Sequence, residues 1–190
     1  LQRSIAIGAG CGGGQLHRRV HLRDRVVSTT EVFRNPFWAV HAVPHGLDTY
    51  YVVKQGDSVP VIARMPDERT VLVDTWRIAH QKTFTEFPGG AIDEGETPRE
   101  AAVRELEEET GIRGTSCEVI GQVTPSTALT TETCHVCMVR DILEVGTPST
   151  DEVDRVRLVN ADRVVDELVT GGCDAVAAAA WALAGWRLPR

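Results

Sequence analysis

Four glutamates crowd the last turns of a segment with helical spacing: Glu105, Glu107, Glu108 and Glu109. Like charges three or four positions apart on a helix repel each other by roughly 0.2–0.5 kcal/mol per pair. Glu105 precedes Glu108 by three residues and Glu109 by four, so these three carboxylates share one helix face. Carboxylates placed in this way form an oxygen-rich site that suits a hard divalent cation such as Mg²⁺. The alternative to a metal site is an acidic helix face that is simply exposed to solvent, and these residues alone do not decide between the two.

The helix that carries these glutamates has clear start and stop signals. Thr97 is a suitable N-cap, Pro98 fits the first helical position, and Glu100 completes a T-x-x-E capping box. Gly111 is a suitable terminating residue. The apolar face that would pack on the core consists of Ala101, Ala102, Val103 and Leu106.

Composition limits the class of protein. The chain has 190 residues, of which 42% are apolar, so it can build the core of one domain. The net charge of −7 and the lack of a long Lys/Arg run argue against binding to a nucleic acid polymer. No apolar run approaches the roughly 20 residues of a membrane span, so no membrane partner is expected. Five cysteines, an odd number, favour reduced thiols and a cytoplasmic location.

The remaining elements must position the acidic helix. We predict a flexible tail over residues 1–27 and a single domain over residues 28–190. The 88-PGG-90 segment before the helix is expected to be a loop that brings backbone carbonyls close. Two C-terminal segments, 161–169 and 174–186, indicate one helix or two. Strands are predicted at 32–43 (one edge strand or a pair), 50–54, 58–65, 70–76, 118–123, 134–143 and 153–159. This order predicts an α/β sandwich with a mixed sheet.

The spacing around the glutamates resembles a family motif. Gly90, five residues, Glu96, seven residues and then the run 104-RELEEETGI-112 resemble the Nudix box, GX5EX7REUXEEXGU with U aliphatic. Every fixed position matches over 23 residues. The resemblance implies an α/β/α sandwich in which the box forms a loop, a helix and a loop. It also implies hydrolysis of a nucleoside diphosphate linked to another moiety, with Mg²⁺ or Mn²⁺ as cofactor.

The resemblance also implies roles for the residues of the box. Arg104 would hold a neighbouring glutamate in position. Glu96 would be either a further metal ligand or a support for the loop. Glu108 would bind metal or assist. The implied metal ligands are Glu105, Glu108, Glu109 and the backbone carbonyl of Gly89.

The flank before the box is similar to the ADP-ribose pyrophosphatase branch of the family. Arg77 is followed by eight residues and then by Glu86-Phe87-Pro88. In that branch an Arg, eight residues and an E-[LF]-P-x-G run precede the box. The resemblance implies that Arg77 and Glu86 line the substrate site. The alternative is that Arg77 only ends a strand and Glu86 pairs with it.

The flank after the box, 125-PSTALTTET-133, resembles a loop of the same branch. Pro125 matches the proline that begins this loop, and Glu132 matches a glutamate near its end. That glutamate is implied to activate the attacking water. Thr127 and Ala128 replace the usual glycines, so the loop departs from the pattern. Glu105 or Glu108 is the alternative base.

The resemblance extends over roughly residues 28–185. Residues 32–57 look like the extra N-terminal antiparallel strands of that branch, which implies a homodimer with these strands at the interface. The implied reaction converts a small nucleotide, ADP-ribose, to AMP and ribose 5-phosphate. Alternatives are another nucleotide sugar, NADH, a dinucleoside polyphosphate, a modified nucleoside triphosphate or a catalytically silent ligand sensor. Three aromatic residues are candidates to stack on a base, although each is predicted to be core: Phe37, Trp38 and Trp76.

Overall fold

The computed structural model describes residues 28–45, 47–172 and 174–187, without the side chains of Trp186 and Arg187. The predicted tail, residues 1–27, lies outside the described residues. The strands are β1 (Thr30–Arg34), β2 (Trp38–His45), β3 (Asp48–Gln55), β4 (Ser58–Ala63), β5 (Thr70–Arg77), β6 (Lys82–Glu86), β7 (Gly89–Ala91), β8 (Ile112–Val123), β9 (Cys134–Val145) and β10 (Arg155–Val159). The helices are α1 (Pro98–Thr110), α2 (Val164–Thr170) and α3 (Ala175–Arg187), with a 3-10 turn at Ala161–Arg163 before α2.

A four-stranded mixed sheet forms the centre of the fold, in the order β7-β4-β9-β8. The strands β4 and β9 are parallel, and the other neighbours are antiparallel. Alternate residues of β4 enter two separate cores: Val59 and Val61 pack beside α1, and Ile62 packs in the cluster that contains the α3 alanines. The sheet therefore lies between α1 and α3, which confirms the predicted α/β/α sandwich.

Two strands beside the box were not predicted. The segment 82–86 forms β6, an antiparallel partner of β5 in the sheet β10-β5-β6. The segment 88–90 was expected to be a loop, but Gly89 begins the short strand β7 on the edge of β4. A Cβ at Gly89 would overlap the carbonyl of Val59, so glycine is what lets β7 approach β4 this closely.

The N-terminal strands form a separate antiparallel sheet, β1-β2-β3. The segment 32–43 is therefore a strand pair, one of the two predicted alternatives. Several large apolar side chains of this sheet are exposed: Val32, Phe33, Tyr50 and Tyr51. The predicted dimer interface on this sheet stays a prediction.

The local signals of α1 act as predicted. Thr97 adopts the extended conformation of an N-cap and forms the full capping box with Glu100. Gly111 is left-handed, with φ 69°, and its N–H donates to the carbonyl of Glu107. β8 begins at once at Ile112, so it is longer at its N-terminal end than predicted. In the described part of the chain, no helix is long and apolar enough to cross a membrane.

Candidate functional site

A cavity of about 450 Å³ lies where the turn between β3 and β4 meets β7, the end of β5 and the loop 124–133. It brings together five residues that the sequence assigned to the site, although they lie far apart in the chain. These residues are Arg77, Glu86, Gly89, Pro125 and Glu132. The fold therefore places both flanks of the box around one space.

Arg104 connects three glutamates of the box, namely Glu96, Glu105 and Glu108. Its Nη1 donates to Oε1 of Glu105 at 2.7 Å and to Oε2 of Glu108 at 3.2 Å. Its Nε and Nη2 bind the two carboxylate oxygens of Glu96 at 3.0 and 2.9 Å, and Nη2 also donates to the carbonyl of Ala91. These bonds, first those to Glu96, raise the pKa of Arg104 further. Arg104 is thus placed to hold its neighbours, and both oxygens of Glu96 support the box loop.

Glu109 is a buried carboxylate at the end of α1, with only 7% of its surface exposed. Its Oε2 accepts a hydrogen bond of 2.8 Å from the backbone N–H of Gly89. Burial raises the pKa of Glu109 to about 7, and the Glu105 charge adds to this, whereas the Gly89 bond opposes it. The end of α1 is therefore tied directly to the strand that lines the cavity.

Glu105 lies against the same strand. A Cβ at Gly90 would sit 2.5 Å from Oε1 of Glu105, so glycine leaves the carboxylate its space. Burial raises the pKa of Glu105, while Arg104 partly offsets the effect. Two neighbouring carboxylates with raised pKa values are a combination that a nearby cation would stabilise in the charged form.

The donor set fits a hard cation, because it consists of carboxylate and carbonyl oxygens. In the described ranges, no three His, Cys, Asp or Glu side chains are already gathered at metal-binding distance. Arg104 neutralises Glu105 and Glu108 in this arrangement. A metal at the box would therefore share these carboxylates with Arg104.

Arg77 and Glu86 pair with each other on the cavity wall. Nε of Arg77 lies 3.2 and 3.1 Å from the two oxygens of Glu86, and Nη2 donates to Oε2 as well. Glu86 is buried and Arg77 is half-exposed. This bond raises the pKa of Arg77. The sequence had left open that Arg77 ends a strand and pairs with Glu86, and this pairing is what the structure has. The contact of these two residues with substrate stays a prediction.

Glu132 is half-buried and faces donors that sequence reasoning did not find. Ser58 donates its hydroxyl to Oε1 at 2.7 Å, and Gln55 donates its amide to Oε2. Both lie more than seventy residues before Glu132 in the chain. No local spacing signals such a contact, because only the turn between β3 and β4 and the loop 124–133 bring them together.

The prediction that the three aromatic residues are core was wrong. Phe37 is 83% exposed, Trp38 37% and Trp76 54%. The side chain of Asn35 accepts hydrogen bonds from the N–H groups of Phe37 and Trp38 and so fixes the turn between β1 and β2. Phe37 and Trp38 line the cavity and are not part of a core.

Comparisons with known proteins find several curated relatives, each matching part of the chain. The chain is 40% identical over 82 residues to an ADP-sugar pyrophosphatase of Mus musculus, covering 43% of this chain and 38% of that protein. It is 31% identical over 91 residues to an ADP-ribose pyrophosphatase of Bacillus subtilis, covering 48% and 49%. It is 32% identical over 91 residues to a methanol dehydrogenase activator of Bacillus methanolicus, covering 48% and 49%. The match thus spans about half the length of these relatives or less.

The fold is also that of a known structure. A crystal structure of an ADP compounds hydrolase superposes with a TM-score of 0.68 at 17% identity, covering 85% of this chain and 91% of that one. A sequence profile of the NUDIX domain matches residues 54–175, which is more than half of the chain. This stretch contains the whole box and both of its flanks. The chain therefore belongs to the Nudix family.

Proposed function

We propose that the protein hydrolyses the pyrophosphate bond of a nucleoside diphosphate derivative, and that ADP-ribose is its substrate. One observation carries this proposal. A single cavity is bordered by Gly89 and Gly90 of the box, by the Arg77–Glu86 pair and by Glu132. A pyrophosphate held there would lie between Gly89, whose N–H binds the buried carboxylate of Glu109, and the carboxylate of Glu132.

The box is the proposed metal site. Glu105 and Glu109 would hold Mg²⁺ or Mn²⁺, with Glu108 and the carbonyl of Gly89 as further oxygen donors. When bound, the metal neutralises the charge of the pyrophosphate and lowers the pKa of a bound water. Arg104 would keep Glu105 and Glu108 in place through its bonds of 2.7 and 3.2 Å.

Glu132 is the proposed general base. It would accept a proton from a water whose oxygen forms a bond to one phosphorus atom. The bond from that phosphorus to the bridging oxygen breaks, and its electron pair stays on the departing phosphate. With ADP-ribose the products are AMP and ribose 5-phosphate. Positioning and charge neutralisation supply most of the catalysis of such reactions.

The substrate class is supported by the flanks and by the relatives. Arg77 and Glu86 occupy the positions that the ADP-ribose pyrophosphatase resemblance assigns to substrate contact. Two of the relatives are an ADP-sugar pyrophosphatase and an ADP-ribose pyrophosphatase. We propose that the half-exposed guanidinium of Arg77, fixed by Glu86, binds the negatively charged part of the nucleotide.

The quaternary state and location are part of the same proposal. A homodimer would cover the exposed side chains of the sheet β1-β2-β3, such as Phe33 and Tyr51. The thiols of Cys117, Cys134 and Cys137 are free, which agrees with a cytoplasmic location.

A substrate panel tests the proposal. ADP-ribose, another nucleotide sugar, NADH, a diadenosine polyphosphate and an oxidised purine triphosphate are each incubated with Mg²⁺, Mn²⁺ or EDTA. Mass spectrometry identifies the products. Release of AMP from ADP-ribose that EDTA abolishes supports the proposal. Preference for another nucleotide would retain the metal site and reject the assignment of substrate. Tight binding without turnover of any nucleotide would favour the ligand sensor.

A further inference from the structure

The carboxylate of Glu132 is bound by two side chains from a distant part of the chain, Gln55 and Ser58, and by the nearby Cys134. Oε1 accepts hydrogen bonds from Ser58 at 2.7 Å and from the thiol of Cys134 at 3.5 Å. Among the residues that the structure describes, Oε2 accepts a hydrogen bond from Gln55 alone. A carboxylate has about four acceptor positions, so Oε2 keeps one for a water.

The loop that carries Glu132 is attached along the free edge of β3. The N–H of Val53 donates to the carbonyl of Leu129 at 2.7 Å, and the N–H of Thr131 donates back to the carbonyl of Val53 at 3.0 Å. The N–H of Ser58 donates to the carbonyl of Thr133 at 3.1 Å. The backbone of the loop is therefore paired with the two strands that supply Gln55 and Ser58.

Asp57 ties the same turn to the box. Its Oδ1 accepts the N–H of Thr133 at 3.0 Å, and its Oδ2 lies 3.1 Å from Nε2 of His135. Its carbonyl accepts the N–H of Ile92, which follows β7. The turn 55–58 thus contacts the Glu132 loop on one side and the box loop on the other.

We propose that Gln55 and Ser58 are positioning residues that hold the Glu132 carboxylate at a fixed place relative to the box. This inference rests on the proposed function, because it assigns Glu132 as the base. A free glutamate side chain rotates among several rotamers, whereas two donors from neighbouring strands select one orientation. Proton transfer needs the acceptor within hydrogen-bond reach of the water, so losing this orientation lowers kcat.

Paired variants test this role. Ser58→Ala and Gln55→Leu each remove one donor with little change in volume, and each is expected to lower kcat about tenfold, the scale of one hydrogen bond to a charged group. Both residues line the cavity, but their side-chain donors are engaged by the Glu132 carboxylate, so KM is expected to stay within about twofold. Ser58→Thr keeps a hydroxyl and is expected to retain most of the activity. Ser116→Ala, at an exposed position of β8, is the control.

A double-mutant cycle distinguishes positioning from a general structural effect. In a Glu132→Gln background the same two substitutions are expected to cost no further activity, because they act through the carboxylate. An equal loss in both backgrounds, or no loss in the wild-type background, would overturn the inference.

An independent measurement separates this inference from the proposed function. Side-chain NMR of Glu132, through the three-bond couplings that report its χ1 rotamer, is compared in the wild type, in the Ser58→Ala/Gln55→Leu double variant and in Ser116→Ala. If the wild type hydrolyses no nucleotide of the panel, the proposed function fails, and these couplings still decide whether Gln55 and Ser58 hold Glu132. One fixed rotamer in the wild type and in Ser116→Ala that becomes averaged in the double variant supports the inference. An equally fixed rotamer in all three proteins overturns it.

Discussion

The substitution Glu109→Gln tests whether α1 is destabilised by its own charges when no metal is bound. Burial raises the pKa of Glu109 from an ordinary 4.5 to about 7, so the folded protein binds this proton more tightly than the unfolded chain does. Stability from this group is therefore greatest at acidic pH and falls as pH rises from about 4.5 to about 7. Above that window the ionised carboxylate opposes folding.

The magnitude follows from the same pKa. The difference of about 2.5 pH units, at 1.36 kcal/mol per unit, sets an upper limit of about 3 kcal/mol. Glutamine removes the charge, and its carbonyl can still accept the N–H of Gly89. Without metal at pH 8, we therefore expect Glu109→Gln to be more stable than the wild type by up to about 3 kcal/mol.

Urea unfolding in EDTA at pH 5 and pH 8 measures the effect. The gain is expected to be large at pH 8 and to shrink at pH 5. With Mg²⁺ at about 100 times its Kd, the wild type is expected to gain about 2.7 kcal/mol, and the variant is expected to gain less. Glu107→Gln is the control, since that side chain is exposed on the same helix. A less stable Glu109→Gln at pH 8, or a difference that does not vary with pH, would refute the reasoning.

Three further substitutions test individual roles. Glu132→Gln is expected to lower kcat by roughly 100-fold if Glu132 is the general base, and a wild-type rate would return that role to Glu105 or Glu108. Gly90→Ala would place a methyl group 2.5 Å from Oε1 of Glu105, so it is expected to weaken Mg²⁺ binding in a calorimetric titration. Gly185→Ala, where a Cβ meets nothing within 4 Å, is the control and should leave the Mg²⁺ affinity unchanged. Equal Mg²⁺ affinities of Gly90→Ala and the wild type would contradict the placement of Glu105. Arg77→Lys keeps the charge but loses the forked contact with Glu86, so KM is expected to rise about tenfold. Arg69→Lys, at a surface pair with Asp67, serves as its control, and an unchanged KM in Arg77→Lys would reject the substrate contact.

The sequence was sufficient where the determining contacts are local. The N-cap Thr97, the capping box with Glu100 and the left-handed Gly111 all act within one helical turn, so their residue types specify the bounds of α1. The strand predicted at 134–143 likewise forms, as part of β9, and its successive residues enter different cores: Val136 lies in the core beside α3, and Cys137 lies in the core beside α1.

The sequence was insufficient where a partner lies far along the chain. β7 has only three residues, two of them glycines, and it is a strand only because the edge of β4 accepts it. The exposure of Phe37 and Trp38 depends on the turn that Asn35 fixes, which an apolar run does not reveal. The donors to Glu132 could not be predicted without the fold, because the whole box separates Gln55 and Ser58 from Glu132 in the chain.

The most direct test of metal-dependent pyrophosphate hydrolysis at this site is product analysis with ADP-ribose and Mg²⁺. Mass spectrometry should detect AMP and ribose 5-phosphate in equal amounts from the wild type. Neither product should appear when EDTA removes the metal. The Glu109→Gln variant should form both products far more slowly than the wild type. Undiminished hydrolysis in EDTA, or full activity of Glu109→Gln, would contradict the assignment of the box as the metal site.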